Sequence, residues 1–525
     1  MPDEPIPTQD RGVKNPWIFY PILIAFFPVL SIYSANLSII PLRMILRPVI
    51  VVVVTVAVIW FLLRIVVRDT GRAAAGTVAI AILSFAYGMF EWLLKTLIIP
   101  HEYLFAVWSV STALITFLAI WKFRWHRMLN FLSAVLILVT VGQIGIGLFH
   151  SMKSRALSRE AVGTPGQTGT DRPDIIYIIL DGYGRSDALK RALGFDNRSF
   201  ITGLEDRGFF VAKDSHANYC QTELSVGSSL NLDFIPSVTK LTAKDVDRDP
   251  LDEVIDHNAA AQYLRGKGYS FDVITTGFPP LLFESADVNL QTRMGMSMIE
   301  AALVQLTPFS KDSFAVITLQ SQRRDSLLNA FDEISALGTK SIQPRFVVVH
   351  ILAPHPPFVF GASGEPLPPK STFGFWDGSD YMEHVSTPNM YRNGYIGQAT
   401  FIGNKVLQSL DTLLSGSGQK PVVLVQGDHG SKLRLDQNSL VKTDLNECFP
   451  NLMAYYVPDS IRSNLYDGIT PVNSFRLVFN GLFGEHLSPK PDQSWYSTRP
   501  LPYAFTEVTS QLADHNKMPS VPLPR

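Results

Sequence analysis

The sequence predicts two fold classes in one chain: an α-helical membrane domain of five transmembrane helices, then an α/β domain with a mostly parallel central sheet. Three observations lead there. Five apolar stretches before residue 150 are long enough to cross a bilayer, for which a helix needs about 20 residues. From Pro173 onward, short β-branched runs alternate with helix-like segments, the pattern of a parallel sheet with helices on both faces. Three of those runs end in polar clusters: Asp181-Gly182-Tyr183-Gly184, Pro354-His355-Pro356-Pro357 and Gly427-Asp428-His429-Gly430. Open α/β sheets bind ligands just beyond the carboxyl ends of their strands.

The apolar stretches are 17–37, 49–67, 73–94, 104–121 and 129–149. Buried core helices would not come five in succession with almost no interior charge. A cleaved leader would account only for the first, which lacks a small-residue cleavage pattern. Glu91 is the one acidic residue inside a span, placed either at the interface beside Lys95 or toward a polar cavity. Arg11 and Lys14 precede the first span; Arg64, Arg68 and Arg72 mark the second loop, and Lys122, Arg124 and Arg127 the fourth. The first and third loops hold only Arg43, Arg47 and Lys95. Basic loops stay in the cytoplasm, so the expectation is an integral protein of the cytoplasmic (inner) membrane. Its N-terminus is cytoplasmic, and after five spans everything beyond residue 150 is extracytoplasmic. Trp92, Trp108, Trp121 and Trp125 lie near expected span ends, where interfacial anchors belong.

The expected domains are 1–150, the five-helix membrane domain; 151–172, a juxtamembrane linker; and 173–525, the extracytoplasmic catalytic domain. The linker's first part reads as an amphipathic helix on the membrane surface, its second as a Gly/Thr/Pro-rich connector. A net charge of -1 argues against a nucleic-acid partner. The two cysteines, Cys220 and Cys448, exclude a disulfide scaffold and a Cys-based zinc finger. They leave open a single bridge in an exported domain.

In the soluble half the expected strands are 175–180, 271–275, 346–352, 422–425 and 453–457. The expected helices include 252–267, 321–337 and 395–414. Residues 360–391, rich in Gly, Pro, Ser and aromatics, read as an active-site loop or lid. Residues 468–484 read as a loop followed by an amphipathic helix whose apolar face is Phe475, Leu477, Val478, Leu482 and Phe483.

Each polar cluster has a plain alternative. Asp181, a hard oxygen ligand for a divalent cation, also suits a turn before glycine. Asp428 and His429 offer an oxygen and a nitrogen suited to Zn²⁺ or Mn²⁺, or a polar strand-end turn. Thr222, which opens Thr222-Glu223-Leu224-Ser225, is the candidate nucleophile at a helix start that favours phosphate, or an ordinary N-cap. His355, stiffened by prolines, can hydrogen-bond a phosphoryl oxygen or protonate a leaving group, or sit in a surface loop. His350, inside a strand, is either a second-shell or a structural residue. His216 reads as a turn residue.

Together these residues resemble the alkaline phosphatase superfamily, and more narrowly its sulfatase-like membrane branch, which includes lipoteichoic acid synthase and the phosphoethanolamine transferases. The resemblance covers roughly 173–460 and implies an alkaline phosphatase-like domain with one divalent metal ion, zinc or manganese rather than calcium. The implied ligands are Asp181, Thr222, Asp428 and His429, and Thr222 is the implied nucleophile. Ser225 matches a Thr-x-x-Ser pattern, His355 matches the substrate-loop histidine, and His350 remains a residue beside substrate or metal. It departs from the family in two ways. Lipoteichoic acid synthase-type enzymes carry Glu where Asp181 stands. The Cys/Ser-x-Pro-x-Arg signature of true sulfatases is absent from Cys220-Gln221-Thr222-Glu223-Leu224, which argues against sulfate-ester hydrolysis. Two-metal members need a further Asp/His/His set, for which His350 and His355 lack a third partner; His486 lies in an uninformative context.

The function implied is transfer of a phospholipid-derived headgroup, phosphoethanolamine or phosphoglycerol type, through a covalent Thr intermediate. The donor is a membrane phospholipid and the acceptor an envelope glycan or lipid. A sulfatase-like or phosphodiesterase hydrolase, with water as acceptor, uses the same residues. A non-catalytic membrane-anchored interaction protein is the third reading.

Overall fold

The computed structural model describes residues 17–35, 45–94, 101–122, 125–159, 172–290, 298–311, 313–338, 343–368, 377–385, 387–416 and 419–512. The chain divides into two compact units, Met1–Ala156 with Met296–Ala315, and Leu157–Gly295 with Val316–Arg525. The stretch Met296–Ala315 falls inside the expected catalytic domain in sequence but packs with the helical unit.

The helical unit contains α1 (Tyr20–Ser34), α2 (Leu46–Val67), α3 (Thr70–Leu94), α4 (His101–Lys122) and α5 (His126–Arg159). Four of them include apolar windows of 21–22 residues, long enough to span a membrane. The first expected span is shorter: α1 has 15 residues, about 22 Å at 1.5 Å per residue, against a hydrocarbon core of about 30 Å. The end of that expected span lies outside the described residues. Asn130 on α5 caps α1, its Oδ1 accepting from the Phe19 and Tyr20 N–H groups at 3.2 and 3.0 Å. Helix α3 is the most enclosed of the four long spans, and Ala73, Ala74, Ala75 and Ala81 are buried in it; small side chains let neighbouring helices approach closely. Large apolar residues on α2, α4 and α5 face outward, among them Phe61, Val110 and Leu138. Glu91 lies in the last turn of α3. Trp121 and Trp125 are exposed near the α4–α5 junction, whereas Trp108 packs on Phe90 at a ring-centroid distance of 4.4 Å.

The second unit is built on a seven-stranded sheet. Its strands are β1 (Ile175–Leu180), β2 (Phe210–Val211), β3 (Ser270–Thr275), β4 (Val288–Asn289), β5 (Arg345–Ile351), β6 (Val422–Gly427) and β7 (Met453–Tyr456), in the order β2-β7-β6-β1-β5-β3-β4. From β6 to β4 neighbours run parallel, while β7 is antiparallel to both β6 and β2. The five expected strands are present; the two-residue edge strands β2 and β4 were too short to stand out in the sequence.

The unbroken apolar runs follow from burial on both faces. Ile176, Ile178 and Leu180 of β1 enter one core, under the helices Ser186–Leu193 and Pro388–Leu414. Ile175, Tyr177 and Ile179 enter the other, under Thr222–Asn231, Ala259–Gly266 and Pro471–Phe483. Phe475, Val478 and Phe479 are the buried face of that last helix. The single helix expected at 252–267 is two helices, Asp249–Asp256 and Ala259–Gly266. Asn258 takes an extended backbone between them and caps the second by accepting from Ala261 N–H.

Candidate active site

Strand register assembles the site. Leu180, the last residue of β1, pairs with Gly427 of β6 on one side and Ile351 of β5 on the other. The next residues along β1 and β6, Asp181 and Asp428, therefore emerge side by side, with the His355 loop following β5. The turn after Asp181 requires glycine, because Gly182 has φ +76°; its N–H donates to Asp428 Oδ1 at 2.8 Å. Gly427 is also obligatory, since a Cβ there would lie 2.0 Å from the Tyr183 carbonyl oxygen. From the helix Pro388–Leu414, the Tyr395 hydroxyl donates to Gly182 O at 2.7 Å and accepts from Gly184 N–H at 3.3 Å.

Gln221, with extended backbone, occupies the cap position of the helix Thr222–Asn231, so Thr222 is its first helical residue and not its N-cap. The Thr222 Oγ1 lies 3.2 Å from His429 Nε2. His429 Nδ1 faces the Gly430 carbonyl at 2.9 Å. A carbonyl only accepts, so Nδ1 carries the proton and Nε2 turns its lone pair toward Thr222 and the carboxylates. One turn into the helix, Ser225 donates to the Asp428 carbonyl at 2.6 Å.

Ligand atoms of Asp181, Asp428 and His429 all lie within 4.8 Å of one another, and the three residues are buried. Asp181 Oδ1 and Asp428 Oδ2 are buried without a hydrogen-bond donor. Two carboxylate oxygens stranded in this way, beside an imidazole lone pair, fit a divalent cation. Burial raises the Asp428 carboxyl, and Asp181 beside it adds to the rise. Burial also acts to raise Asp181, but His355, His350 and His429 outweigh it and hold that carboxyl below its usual range. Burial pushes the His429 imidazole down, toward its neutral, ligating form.

His350 is fully buried on β5, with Nε2 3.2 Å from Asp181 Oδ2. It grips the ligand candidate and stands outside the ligand group. His355 sits in a loop with cis peptide bonds at Ala353-Pro354 and Pro356-Pro357. Its N–H donates to the Asp181 carbonyl at 3.0 Å, and Gln398 donates to its carbonyl at 3.1 Å. Its Nδ1–H donates to Pro356 O, leaving Nε2 3.5 Å from Asp377 Oδ2. Burial alone would lower the His355 imidazole, yet Asp181 and Asp377 raise it above its ordinary value.

Asp377 and Lys432 were not singled out by the sequence. Asp377 lies in the expected lid, whose residues 369–376 fall outside the described residues. Lys432 follows three residues after His429. The Lys432 ammonium lies 2.6 Å from Asp377 Oδ2, and both residues are buried. Burial acts against both charges, but each holds the other ionised: Asp377 below and Lys432 above its usual value. The Asp-His-Gly-Ser-Lys spacing after β6 was the one signal for Lys432; nothing local marked Asp377. The ammonium thus supplies the positive charge beside Asp377, which His355 also faces. His216 forms an antiparallel bridge to Pro450 and is not one of the ligand group, and His486 is exposed.

No family model matches the chain, and no curated protein matches it. Solved structures do. The likeness is to phosphoethanolamine transferases and sulfatases. The C-terminal periplasmic domain of EcEptC from Escherichia coli, in complex with Zn, is 9% identical, with a TM-score of 0.41, over 67% of this chain and 96% of that one. The integral membrane lipooligosaccharide phosphoethanolamine transferase A (EptA) from Neisseria meningitidis is 13% identical, with a TM-score of 0.36, over 92% of this chain and 98% of that one. The phosphonate monoester hydrolase of Agrobacterium radiobacter is 12% identical, with a TM-score of 0.39, over 62% and 80%. Similarity at this level assigns no activity, which has to follow from the chain's own geometry.

Proposed function

We propose that this protein is a metal-dependent transferase of the sulfatase-like branch of the alkaline phosphatase superfamily. It moves the phosphoethanolamine- or phosphoglycerol-type headgroup of a membrane phospholipid, through a covalent intermediate on Thr222, to an envelope glycan or lipid. The observation that carries the reading is the Thr222 hydroxyl, 3.2 Å from His429 Nε2, beside a buried Asp181–Asp428–His429 group with two donor-free carboxylate oxygens.

Asp181, Asp428 and His429 hold one divalent cation, zinc or manganese rather than calcium, with Thr222 beside it. Bound there, the cation lowers the pKa of a neighbouring hydroxyl and draws charge from phosphoryl oxygens. Thr222 Oγ1, its proton lost to solvent, bonds to phosphorus as the bond from phosphorus to the diacylglycerol oxygen breaks. His355, whose imidazole Asp181 and Asp377 raise above its ordinary value against the effect of burial, delivers a proton to that departing oxygen. Lys432 adds a fixed positive charge. Ser225 and His350 keep Asp428 and Asp181 in place. The acceptor hydroxyl passes its proton to the now neutral His355 and displaces the headgroup from Thr222, leaving the Thr222 oxygen deprotonated for the next cycle. Residues 1–150 anchor the enzyme in the cytoplasmic membrane, 151–172 link it, and 173–525 work outside, so the anchor raises the effective concentration of a lipid donor.

The test uses the purified full chain with phospholipid carrying a labelled headgroup. Thr222→Ala is expected to abolish headgroup release while wild type becomes labelled on Thr222. A fully active Thr222→Ala variant would sink the assignment. Release to water at the same rate with and without an envelope acceptor would convert the reading to a phosphodiesterase.

A further inference from the structure

The chain's two cysteines are far apart in sequence and come together in the fold. Cys220 and Cys448 are 2% and 0% exposed. They share one small apolar cluster with Leu435, Leu445, Phe449, Tyr496 and Val508, and both are thiols in the structure. The segments that carry them run side by side. The Ala217 N–H donates to Phe449 O at 2.8 Å, and His216 bridges to Pro450 in antiparallel sense. On its other side, the Cys448 carbonyl accepts from Gly430 N–H at 2.8 Å. Cys220 stands two residues before Thr222, and Gly430 directly follows His429. The pair therefore lies behind the junction of the two segments that bring hydroxyl and ligands together.

We propose that Cys220 and Cys448 are joined by a disulfide in the mature protein, tying the start of the Thr222 helix to the segment behind Asp428-His429-Gly430. This rests on the extracytoplasmic placement proposed above, because such bonds persist in oxidising compartments. The two thiols give up two protons and two electrons and form one S–S bond. The electrons reduce a disulfide oxidant, a protein or small-molecule disulfide, to two thiols by exchange through a mixed disulfide. Neither sulfur is open to an exchange partner in the folded unit, so the bond closes before the cluster packs. A cross-link spanning so much of the chain removes loop-closure entropy from the unfolded state. It also keeps Thr222 and His429 from drifting apart.

The test starts from cells lysed directly into denaturant with N-ethylmaleimide, which blocks every free thiol. After reduction, a polyethylene-glycol maleimide tags the cysteines that had been bonded. The full chain is expected to carry two tags, and Cys448→Ser none. Tris(carboxyethyl)phosphine applied in mild urea, which opens the cluster, and then removed with the urea should lower the melting temperature of the purified full chain by roughly 6 °C and leave Cys448→Ser unmoved. A second arm treats reduced, detergent-purified full chain with diamide in mild urea. No tags in either arm overturns the pairing itself. No tags from cells but two after diamide overturns the bond in the cell through failure of the extracytoplasmic placement, with the pairing geometry intact.

Discussion

Asp377→Asn is the sharpest probe of the buried ion set. The Asp377 carboxylate lies 2.6 Å from the Lys432 ammonium and 3.5 Å from His355 Nε2. With the carboxylate neutralised, Lys432 is a buried cation without its close counter-charge. Removing one partner of such a pair costs about 3–5 kcal/mol, whereas replacing both with apolar groups is often close to neutral. At about 2.1 cal/mol/K of unfolding entropy per residue, a unit of this size loses roughly 1.5 °C per kcal/mol, so the single variant should melt roughly 4–7 °C lower. Lys432→Met alone should lose a similar amount, and Asp377→Asn/Lys432→Met should recover most of it, for a coupling of about 3 kcal/mol. The assay is a melting curve of the full chain in detergent, with headgroup transfer measured alongside. Stability should return in the double variant while transfer stays low, because His355 has lost its partner. A single variant within about 1 kcal/mol of wild type, or a double variant as damaged as the sum of the singles, would refute the reasoning.

The other predictions concern the nucleophile, the metal, pH and the Asp181 turn. Thr222→Ser should keep part of the turnover and Thr222→Ala should lose at least about 10³-fold, read by label transfer. Zinc or manganese at 100 times its dissociation constant should stabilise the chelator-treated protein by about 2.7 kcal/mol, and Asp428→Asn should abolish that response in calorimetry. The raised His355 imidazole contributes stability that is complete below its unfolded value of about 6.5 and is lost as pH rises through its higher folded value. Transfer that depends on protonated His355 should fall over the same range, and Asp377→Asn should move that fall to lower pH in a pH–rate profile. Tyr395→Phe strips the partner from Gly182 O and Gly184 N–H, which should cost about 1–3 kcal/mol and lower metal affinity in titration.

Local pattern determined much of this protein. Apolar runs of membrane length, and β-branched runs closed by glycine-bearing polar turns, need no partner to be recognised, because their periodicity and composition reflect burial directly. The same holds for Asp181 and the Asp428-His429 pair, whose place at strand ends followed from where the apolar residues stop. Thr222 was legible only as one of two roles, cap or nucleophile. Tertiary structure removed the cap role by setting Gln221 at the cap, and it turns the Thr222 hydroxyl to His429. It also decided what no local signal carries. The pairing of Leu180 with Gly427 and Ile351 brings Asp181 beside Asp428. Asp377 meets Lys432 across a long sequence separation, and Cys220 and Cys448 enter one apolar cluster. A carboxylate on a loop has the same local sequence whether it faces water or an ammonium group. Only the folded chain, through sheet register and long-range packing, determines which charge it meets.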